Sequence, residues 1–236
     1  MQNILSYMRK AINAYNMIED GDKIAVCLSG GKDSITMLMG LKQLQLFLGK
    51  KFELIAVSVN PGFEFFDVEF LKQTCEKIGV PLIVEEYNIK EIVFDIRKEK
   101  RPCSLCANIR RGILNSVARR EGCNKIALGH NEDDVIETFL MNLFLTGSFS
   151  TFSPSTYMDR SKITVIRPII LVPEKEVKKF VKHNNIKVMK KNCPMDGVSK
   201  REYMKELLYK LSLDIPMCRA NLLGVIKRNN INGWHV

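Results

Sequence analysis

Ser29-Gly30-Gly31-Lys32-Asp33-Ser34 is the stretch that decides how this chain folds. It joins an apolar run, Ile24 to Leu28, to a helix-like run, Ile35 to Leu48. A strand that enters a glycine turn and then a helix leaves backbone N–H groups unpaired at the helix start, where they can bind phosphate oxygens. The lysine adds a positive charge, and the two serines add hydroxyls. We therefore predict a nucleotide-binding loop; the simpler alternative is a glycine turn capped by the aspartate.

This loop differs from the Walker phosphate loop. The Walker motif has a glycine five residues before its final Gly-Lys, but Val26 stands five residues before Gly31. Asp33 also interrupts the Lys-Ser/Thr ending of that motif. The sequence therefore predicts a phosphate loop of another kind.

Composition indicates a globular protein with one main domain. Its 236 residues are 46% hydrophobic, and no apolar run approaches the roughly 20 residues that cross a bilayer. The first residues lack the architecture of a signal peptide, so we expect a cytoplasmic protein without membrane contact. Lys and Arg number 36 against 26 Asp and Glu, and the net charge of +10 suits a polyanionic partner. The seven cysteines are expected to be thiols or metal ligands.

Alternating apolar runs and helical patterns predict an α/β fold. After the first strand, the predicted strands are residues 52–59, 81–84, 125–128 and 163–166. Before the C-terminal third, the predicted helices are residues 1–18, 35–48, 68–78, 104–121 and 133–145. This order favours a doubly wound, mostly parallel five-stranded sheet with helices on both faces and ligands at the carboxyl ends of the strands. If the first and fourth strands are neighbours, Gly129 and His130 lie beside the phosphate loop. Residues 146–162 are expected to form a mobile flap.

Cys103 and Cys106 form a CxxC motif at the predicted start of a helix, and the following turn carries Arg110 and Arg111. A helix N-terminus and nearby guanidinium groups lower the pKa of a thiol, so we expect this setting to favour thiolates. Thiolate is the form that binds metal or transfers sulfur. Alone, the motif also fits a redox pair, half of a zinc site or a chance spacing.

Three further motifs stand in register with the loop. They are Arg101-Pro-Cys103-Ser-Leu-Cys106-Ala-Asn-Ile-Arg110-Arg111-Gly112-Ile-Leu114, Gly129-His130-Asn131-Glu132-Asp133-Asp134-Val-Ile-Glu137-Thr138 and Arg167-Pro168. With these motifs taken together, the chain resembles the PP-loop ATP pyrophosphatases, whose fold is of the adenine nucleotide alpha hydrolase type. Over residues 20–200 it resembles, more specifically, the TtcA-like tRNA 2-thiocytidine synthetases. The resemblance implies an enzyme that uses ATP to adenylate O2 of a tRNA cytidine, releases pyrophosphate and lets sulfide replace the oxygen at C2. Position 32 of the anticodon loop is the expected site.

The resemblance also implies a [4Fe-4S] cluster held by three cysteines. Cys103 and Cys106 match the family motif, and Cys193, in Asn192-Cys193-Pro194, is the expected third ligand. Cys218 is held in reserve, because many relatives have a second cysteine near the third ligand and this chain does not. Zinc with a fourth ligand from another cysteine or a histidine is the alternative. The cysteines expected to be structural are Cys27, Cys75 and Cys123.

Roles in ATP binding follow from the same resemblance. Lys32 and Asp33 are expected to be catalytic together with the three cysteines, Lys32 by stabilising phosphate charge and Asp33 by holding Mg²⁺. The other residues expected to contact ATP are Ser29, Gly30, Gly31, Ser34, Val59, Arg110, Gly129, His130, Asp133 and Asp134. For the last two, helix N-capping is the alternative. Arg167 is expected either to bind a phosphate or to pair with an acid.

tRNA is the expected polyanion. The basic clusters that could contact it are Lys98, Lys100 and Arg101; Arg119 and Arg120; Lys178, Lys179 and Lys182; Lys187, Lys190 and Lys191; and Lys200 and Arg201. The expected sulfur donor is a persulfide such as that of a cysteine desulfurase, and a homodimer is left open. The alternatives are another PP-loop enzyme, which makes 2-thiouridine or lysidine or amidates a small molecule, and a non-catalytic iron-sulfur or RNA-binding module.

The predicted organisation has three parts. Residues 1–20 form an N-terminal helix, and residues 21–172 form a PP-loop ATPase domain with the CxxC insertion. Residues 173–236 form a C-terminal helical segment that carries the third cysteine ligand.

Overall fold

The computed structural model describes residues 1–99, 102–189, 193–195 and 199–235. Of the residues named above, Lys100, Arg101, Lys190, Lys191 and Asn192 lie outside the described residues. The helices are α1 (Gln2–Ala14), α2 (Lys32–Leu44), α3 (Val68–Ile78), α4 (Pro102–Arg120), α5 (Glu132–Thr146), α6 (Glu174–His183), α7 (Lys200–Asp214) and α8 (Cys218–Arg228), with a π-helical turn at Glu91–Ile96 and a 3-10 turn at Ile231–Gly233. The strands are β1 (Asp22–Cys27), β2 (Phe52–Asn60), β3 (Leu82–Glu86), β4 (Lys125–Ala127), β5 (Ser155–Met158) and β6 (Ile163–Ile166).

The strands form one sheet in the order β3-β2-β1-β4-β6-β5. β1 pairs in parallel with β2 on one side and with β4 on the other. The chain order changes direction at this point, so the loops that follow β1 and β4 open into the same crevice at the carboxyl edge of the sheet. The doubly wound α/β fold predicted from the sequence is confirmed.

The sheet has one strand more than the five expected. Ser155–Met158 pairs antiparallel with β6 at the edge of the sheet, so the prediction of a mobile flap is wrong for this part of residues 146–162. Thr151, just before it, is fixed as well: its hydroxyl donates to the Val135 carbonyl at 2.9 Å and its N–H donates to Asn232 Oδ1 at 2.8 Å. The polar residues of this segment are used in pairing and hydrogen bonding, which the composition alone does not show.

Helices cover both faces of the sheet. Alternate residues of β1 point to opposite faces and pack into two different hydrophobic clusters. Ile24 and Val26 pack with α1, α2 and α5 on one face, whereas Ala25 and Cys27 face α4 on the other. The predicted opening helix is present as α1 and packs on the core, since its Met8 and Ile12 are fully buried. Within the described ranges, no helix combines the length and hydropathy that crossing a bilayer requires. The β1 alternation places Cys27 on the same side as the CxxC motif.

Candidate functional site

The phosphate loop is held by its own serines and by a distant segment. Ser34 Oγ accepts from the N–H of Ser29 at 3.2 Å and donates to the Gly31 carbonyl at 2.9 Å. Gly30 has φ +75°, a backbone conformation that favours glycine. Its carbonyl accepts from the N–H of Met189 at 2.8 Å. Met189, four residues before Cys193 in the sequence, therefore lies directly on the loop.

Lys32 and Asp33, the first residues of α2, belong to a network of charges. Lys32 Nζ lies 2.7 Å from Asp33 Oδ2 and 3.0 Å from Glu174 Oε1. Burial works to lower the pKa of Lys32, but the two carboxylates outweigh it and the pKa is raised. Asn131 Nδ2 donates to Asp33 Oδ1 at 2.9 Å and so fixes the orientation of this carboxylate.

The turn after β4 meets the phosphate loop, as predicted. Gly129 packs so closely that a Cβ there would lie 3.2 Å from the backbone nitrogen of Ser34. Asn131 caps α5 and forms a capping box with Asp134: each side chain accepts from the other residue's N–H. The proximity of β1 and β4 thus brings the start of α5 against the start of α2.

Asp133 and Asp134 both contact arginines of the C-terminal helices. Asp133 pairs with Arg219 of α8 and accepts from the N–H of Glu174 at 2.7 Å. Asp134 lies 3.5 Å from Arg201 Nη1 of α7, and burial raises the pKa of its carboxyl. The capping alternative holds for Asp134, and contact of either residue with ATP stays a prediction.

His130 is a neutral, packed ring in this structure. It stacks on Phe152 with ring centroids 4.7 Å apart, and its Nδ1 accepts from Arg167 Nε at 3.3 Å. Burial, and secondly the charges of Arg167 and Arg201, lower the pKa of His130 to about 3. Arg167 also donates to the Ser153 carbonyl at 2.6 Å. Among the described residues Arg167 pairs with no acid: its partners are the His130 ring, the Ser153 carbonyl and the Phe152 ring, and phosphate binding stays a prediction.

We expect the His130 ring to stay neutral from about pH 8 to pH 5, across the range in which an unperturbed histidine gains its proton. The physical reason is that the imidazolium would have to form inside a buried site beside two arginine charges. The measurement is the NMR chemical shift of the His130 ring as a function of pH, with a His130→Gln variant to assign the signal. A titration midpoint near the ordinary value would contradict this expectation.

The three predicted cluster cysteines line one cavity of about 330 Å³ at the carboxyl edge of the sheet. Cys103 and Cys106 enter it from the first two turns of α4, and Cys193, four residues after Met189 in the sequence, enters it as well. The cavity is also lined by Ser29 of the phosphate loop and by Val59 at the end of β2. The predicted phosphate site and the predicted site of sulfur chemistry are therefore adjacent, because the phosphate loop and the three cysteines line the same cavity.

The Cys103 thiol is not activated in the way the sequence suggests. Burial, followed by the nearby Cys193 and Cys106, raises the pKa of the Cys103 thiol. The prediction that a helix N-terminus and arginines make Cys103 a thiolate is therefore wrong for the protein without metal. The reason is physical: burial of the Cys103 thiol, and secondly the neighbouring Cys193 and Cys106, disfavour its charged form. A bound metal ion would remove this obstacle, because coordination deprotonates a thiol.

Arg110 extends from α4 into the same cavity. Its Nε is buried and makes no hydrogen bond to any group that the structure describes. Its charge acts on Cys27, where it partly opposes the burial that raises the pKa of that thiol to about 11. A buried guanidinium donor without a partner is costly unless a ligand satisfies it. Its place in the cavity fits an anionic ligand.

The remaining cysteines differ in their surroundings. Cys75 and Cys123 are buried in the two hydrophobic clusters, which agrees with the structural role expected for them. Cys218 begins α8 and packs against the larger cluster, outside the set of residues that line the cavity. Cys27 lines the cavity in addition to packing against the smaller cluster, which the sequence analysis did not predict.

Residues that the sequence analysis missed complete the site. Glu174 contacts Lys32, and Asn131 orients Asp33, although neither was among the predicted site residues. Phe63, Phe65 and Phe94 form an aromatic wall of the cavity, with Phe63 and Phe65 stacked at a centroid distance of 5.2 Å. The one available signal was Asn131, which stands within the second quoted motif.

Comparison with known proteins agrees with this geometry. The sequence model of the PP-loop domain family matches residues 3–211. The chain is 40% identical over 233 residues to the tRNA-cytidine(32) 2-sulfurtransferase of Syntrophotalea carbinolica, with 96% of this chain and 88% of the relative covered. It is 37% identical over 230 residues to the protein of the same name from Citrifermentans bemidjiense, with 96% and 89% covered.

Among solved structures, the chain is similar to the U34-tRNA thiolase NcsA from Methanococcus maripaludis, a structure that contains its [4Fe-4S] cluster. The TM-score is 0.76 at 27% sequence identity, and the match covers 94% of this chain and 77% of the thiolase.

Proposed function

This chain belongs to the PP-loop domain family and, within it, to the tRNA-cytidine(32) 2-sulfurtransferases, and on that premise we propose that it thiolates cytidine 32 of tRNA. Cytosine O2 attacks the α-phosphorus of ATP and pyrophosphate leaves. Sulfur then replaces the activated oxygen at C2, and AMP departs. The observation that carries the proposal is the single cavity that Ser29 of the phosphate loop shares with Cys103, Cys106 and Cys193.

The donor set of this cavity fits an iron-sulfur cluster better than zinc. Within the residues that the structure describes, no three His, Cys, Asp or Glu side chains form a group that could hold a metal ion. Zinc needs its sulfur ligands about 2.3 Å from one centre. A [4Fe-4S] cluster binds each cysteine through a different iron atom, so it accepts thiols that line a cavity without meeting at one point. We propose Cys103, Cys106 and Cys193 as its ligands.

A [4Fe-4S] cluster with three cysteine ligands leaves one iron free to bind a further ligand, which is how it would supply sulfur to the base. The protein's own part is to position the reactants. Phe63, Phe65 and Phe94 offer flat apolar surfaces to a nucleobase that has left its stack. Arg110 offers its Nε, which has no hydrogen-bond partner among the described residues, to an anion between the thiols and the loop.

ATP would lie across the phosphate loop at the start of α2, where backbone N–H groups bind phosphate oxygens. We propose that Lys32 stabilises the phosphates and that Asp33, already fixed by Asn131, holds Mg²⁺. Ser29 and Val59 line the cavity side of this site, so we propose that the nucleotide extends toward them. A persulfide of a cysteine desulfurase remains the proposed sulfur source, and a homodimer the alternative to a monomer.

The test is anaerobic reconstitution with iron and sulfide, followed by incubation with ATP, Mg²⁺, tRNA and added sulfide as the sulfur source. We expect about four irons per chain and new 2-thiocytidine in the nucleosides detected by mass spectrometry. Formation of AMP and pyrophosphate should depend on the tRNA. The proposal is wrong if the reconstituted protein makes 2-thiouridine instead, or if it binds zinc in place of iron.

A further inference from the structure

Three lysine side chains converge on the carboxylate of Glu174, the first residue of α6. Lys32 Nζ and Lys205 Nζ lie 3.0 and 3.3 Å from Oε1, and Lys178 Nζ lies 2.8 Å from Oε2. They come from three different helices, α2, α6 and α7. The ammonium groups therefore surround a point next to the phosphate loop.

This carboxylate is far less accessible than the lysines around it. The side chain of Glu174 is 12% exposed, whereas those of Lys32, Lys205 and Lys178 are 27%, 37% and 56% exposed. Burial works to raise the pKa of Glu174, but hydrogen bonds from Lys178 and Lys32 outweigh it and lower the pKa to about 2. The site thus holds a full negative charge, while the ammonium groups around it remain open to a solute.

The charges at this point leave a positive excess. Lys32, Lys178 and Lys205 carry three positive charges, and Glu174 and Asp33 carry two negative ones. Asp133, which accepts from the N–H of Glu174, is itself paired with an arginine. Phosphate oxygens accept the same charge-assisted hydrogen bonds as a carboxylate, and a lysine ammonium binds phosphate as a point charge.

We propose that the Glu174 carboxylate stands in for the terminal phosphates of ATP, and that Lys178 and Lys205 join Lys32 in binding the pyrophosphate portion when nucleotide arrives. The inference rests on the proposed function, because it takes ATP as the substrate. Pyrophosphate brings more charge to the three ammonium groups than one carboxylate does, so it displaces Glu174 from them. The two added lysines lie on α6 and α7, so binding of the pyrophosphate portion would also hold these helices against the loop.

The experiment is isothermal titration of the reconstituted protein with ATP, inorganic pyrophosphate and AMP. In Lys205→Ala, the Kd for ATP and pyrophosphate should rise about tenfold through loss of one charge-assisted interaction, while the Kd for AMP stays unchanged. Lys178→Ala should show the same selectivity with a smaller effect, because this lysine is more exposed. In Glu174→Gln, the Kd for pyrophosphate should fall, since the competing charge is gone. Lys210→Ala, an exposed lysine of α7, is the matched control and should change none of the three.

Two outcomes overturn the inference: equal weakening of AMP and pyrophosphate in Lys205→Ala and Lys178→Ala, or weaker pyrophosphate binding in Glu174→Gln. The second would make Glu174 a residue that positions Lys32. If the wild type makes 2-thiocytidine but these variants bind pyrophosphate normally, only this inference fails. If the lysines bind pyrophosphate selectively but no thiolated nucleoside forms, only the proposed function fails.

Discussion

Replacing Cys193 with serine is expected to abolish thiolation of tRNA and to remove most of the bound iron, while ATP binding remains. Cys193 is the one cavity thiol that comes from outside β1 and α4, and a serine hydroxyl is a poor replacement for the thiolate that iron prefers. Mutation of residues that merely support a metal ligand lowers metal affinity or activity by about 10- to 100-fold. Loss of the ligand itself should therefore lower thiolation activity by at least about 100-fold. Iron content after anaerobic reconstitution, 2-thiocytidine yield and the Kd for ATP are the measurements.

Cys218→Ser is the matched control, because Cys218 packs against the larger hydrophobic cluster at the start of α8. We expect its iron content and 2-thiocytidine yield to equal those of the wild type. Reversed results for the two variants would show that Cys218 is the third ligand. Loss of ATP binding in Cys193→Ser would show instead that this cysteine is needed for folding of the nucleotide site.

Gly30→Ala should cost the protein both its affinity for ATP and its ability to retain the cluster. Gly30 has φ +75°, which strains an alanine by about 1 kcal/mol. The added Cβ would also lie 2.5 Å from Met189 Cε and 2.9 Å from Met189 Cβ. Met189 must shift, and we expect this to weaken its N–H bond to the Gly30 carbonyl and to disturb the cavity that Met189 lines together with Cys193. We expect the Kd for ATP to rise about tenfold or more, with a parallel loss of iron.

Gly21→Ala is the matched control, because it introduces the backbone strain of an alanine at positive φ without displacing a neighbouring residue. Gly21 has φ +82°, but nothing lies within 4 Å of a Cβ placed there. This variant should lose about 1 kcal/mol of unfolding free energy in urea and keep normal affinity for ATP. Wild-type affinity and iron content in Gly30→Ala would disprove the link between the loop and the Cys193 segment.

Much of the fold is predictable because β1, β2 and β4 are buried on both faces and read as continuous apolar runs. The glycine loop that follows β1 then indicates that the binding crevice lies at the carboxyl edge of the sheet. β5 is the exception: its four residues are all partly or fully exposed, and they become a strand only by pairing with β6. Such a strand has no hydrophobic pattern of its own to detect.

The site is predictable where local sequence carries the chemistry and unpredictable where distant residues meet. The loop and the CxxC motif are local, whereas the contact of Lys32 with Glu174 joins residues far apart in the chain. The raised pKa of Cys103 shows the same limit, since the helix and the arginines are visible in sequence but the burial of the thiol and the approach of Cys193 are not. Only the resemblance to a known family selected Cys193 among the remaining cysteines.

The hydrogen bond between Met189 and Gly30 joins residues that are synthesised at different times, so the site is completed late in synthesis. The ribosome adds about 5–20 residues per second, so several seconds separate the appearance of Cys106 from that of Met189. Until then, the side of the cavity formed by Met189, Cys193 and Met195 does not exist. A nascent chain therefore presents an uncovered pair of thiols, Cys103 and Cys106, until Met189, Cys193 and Met195 have been translated.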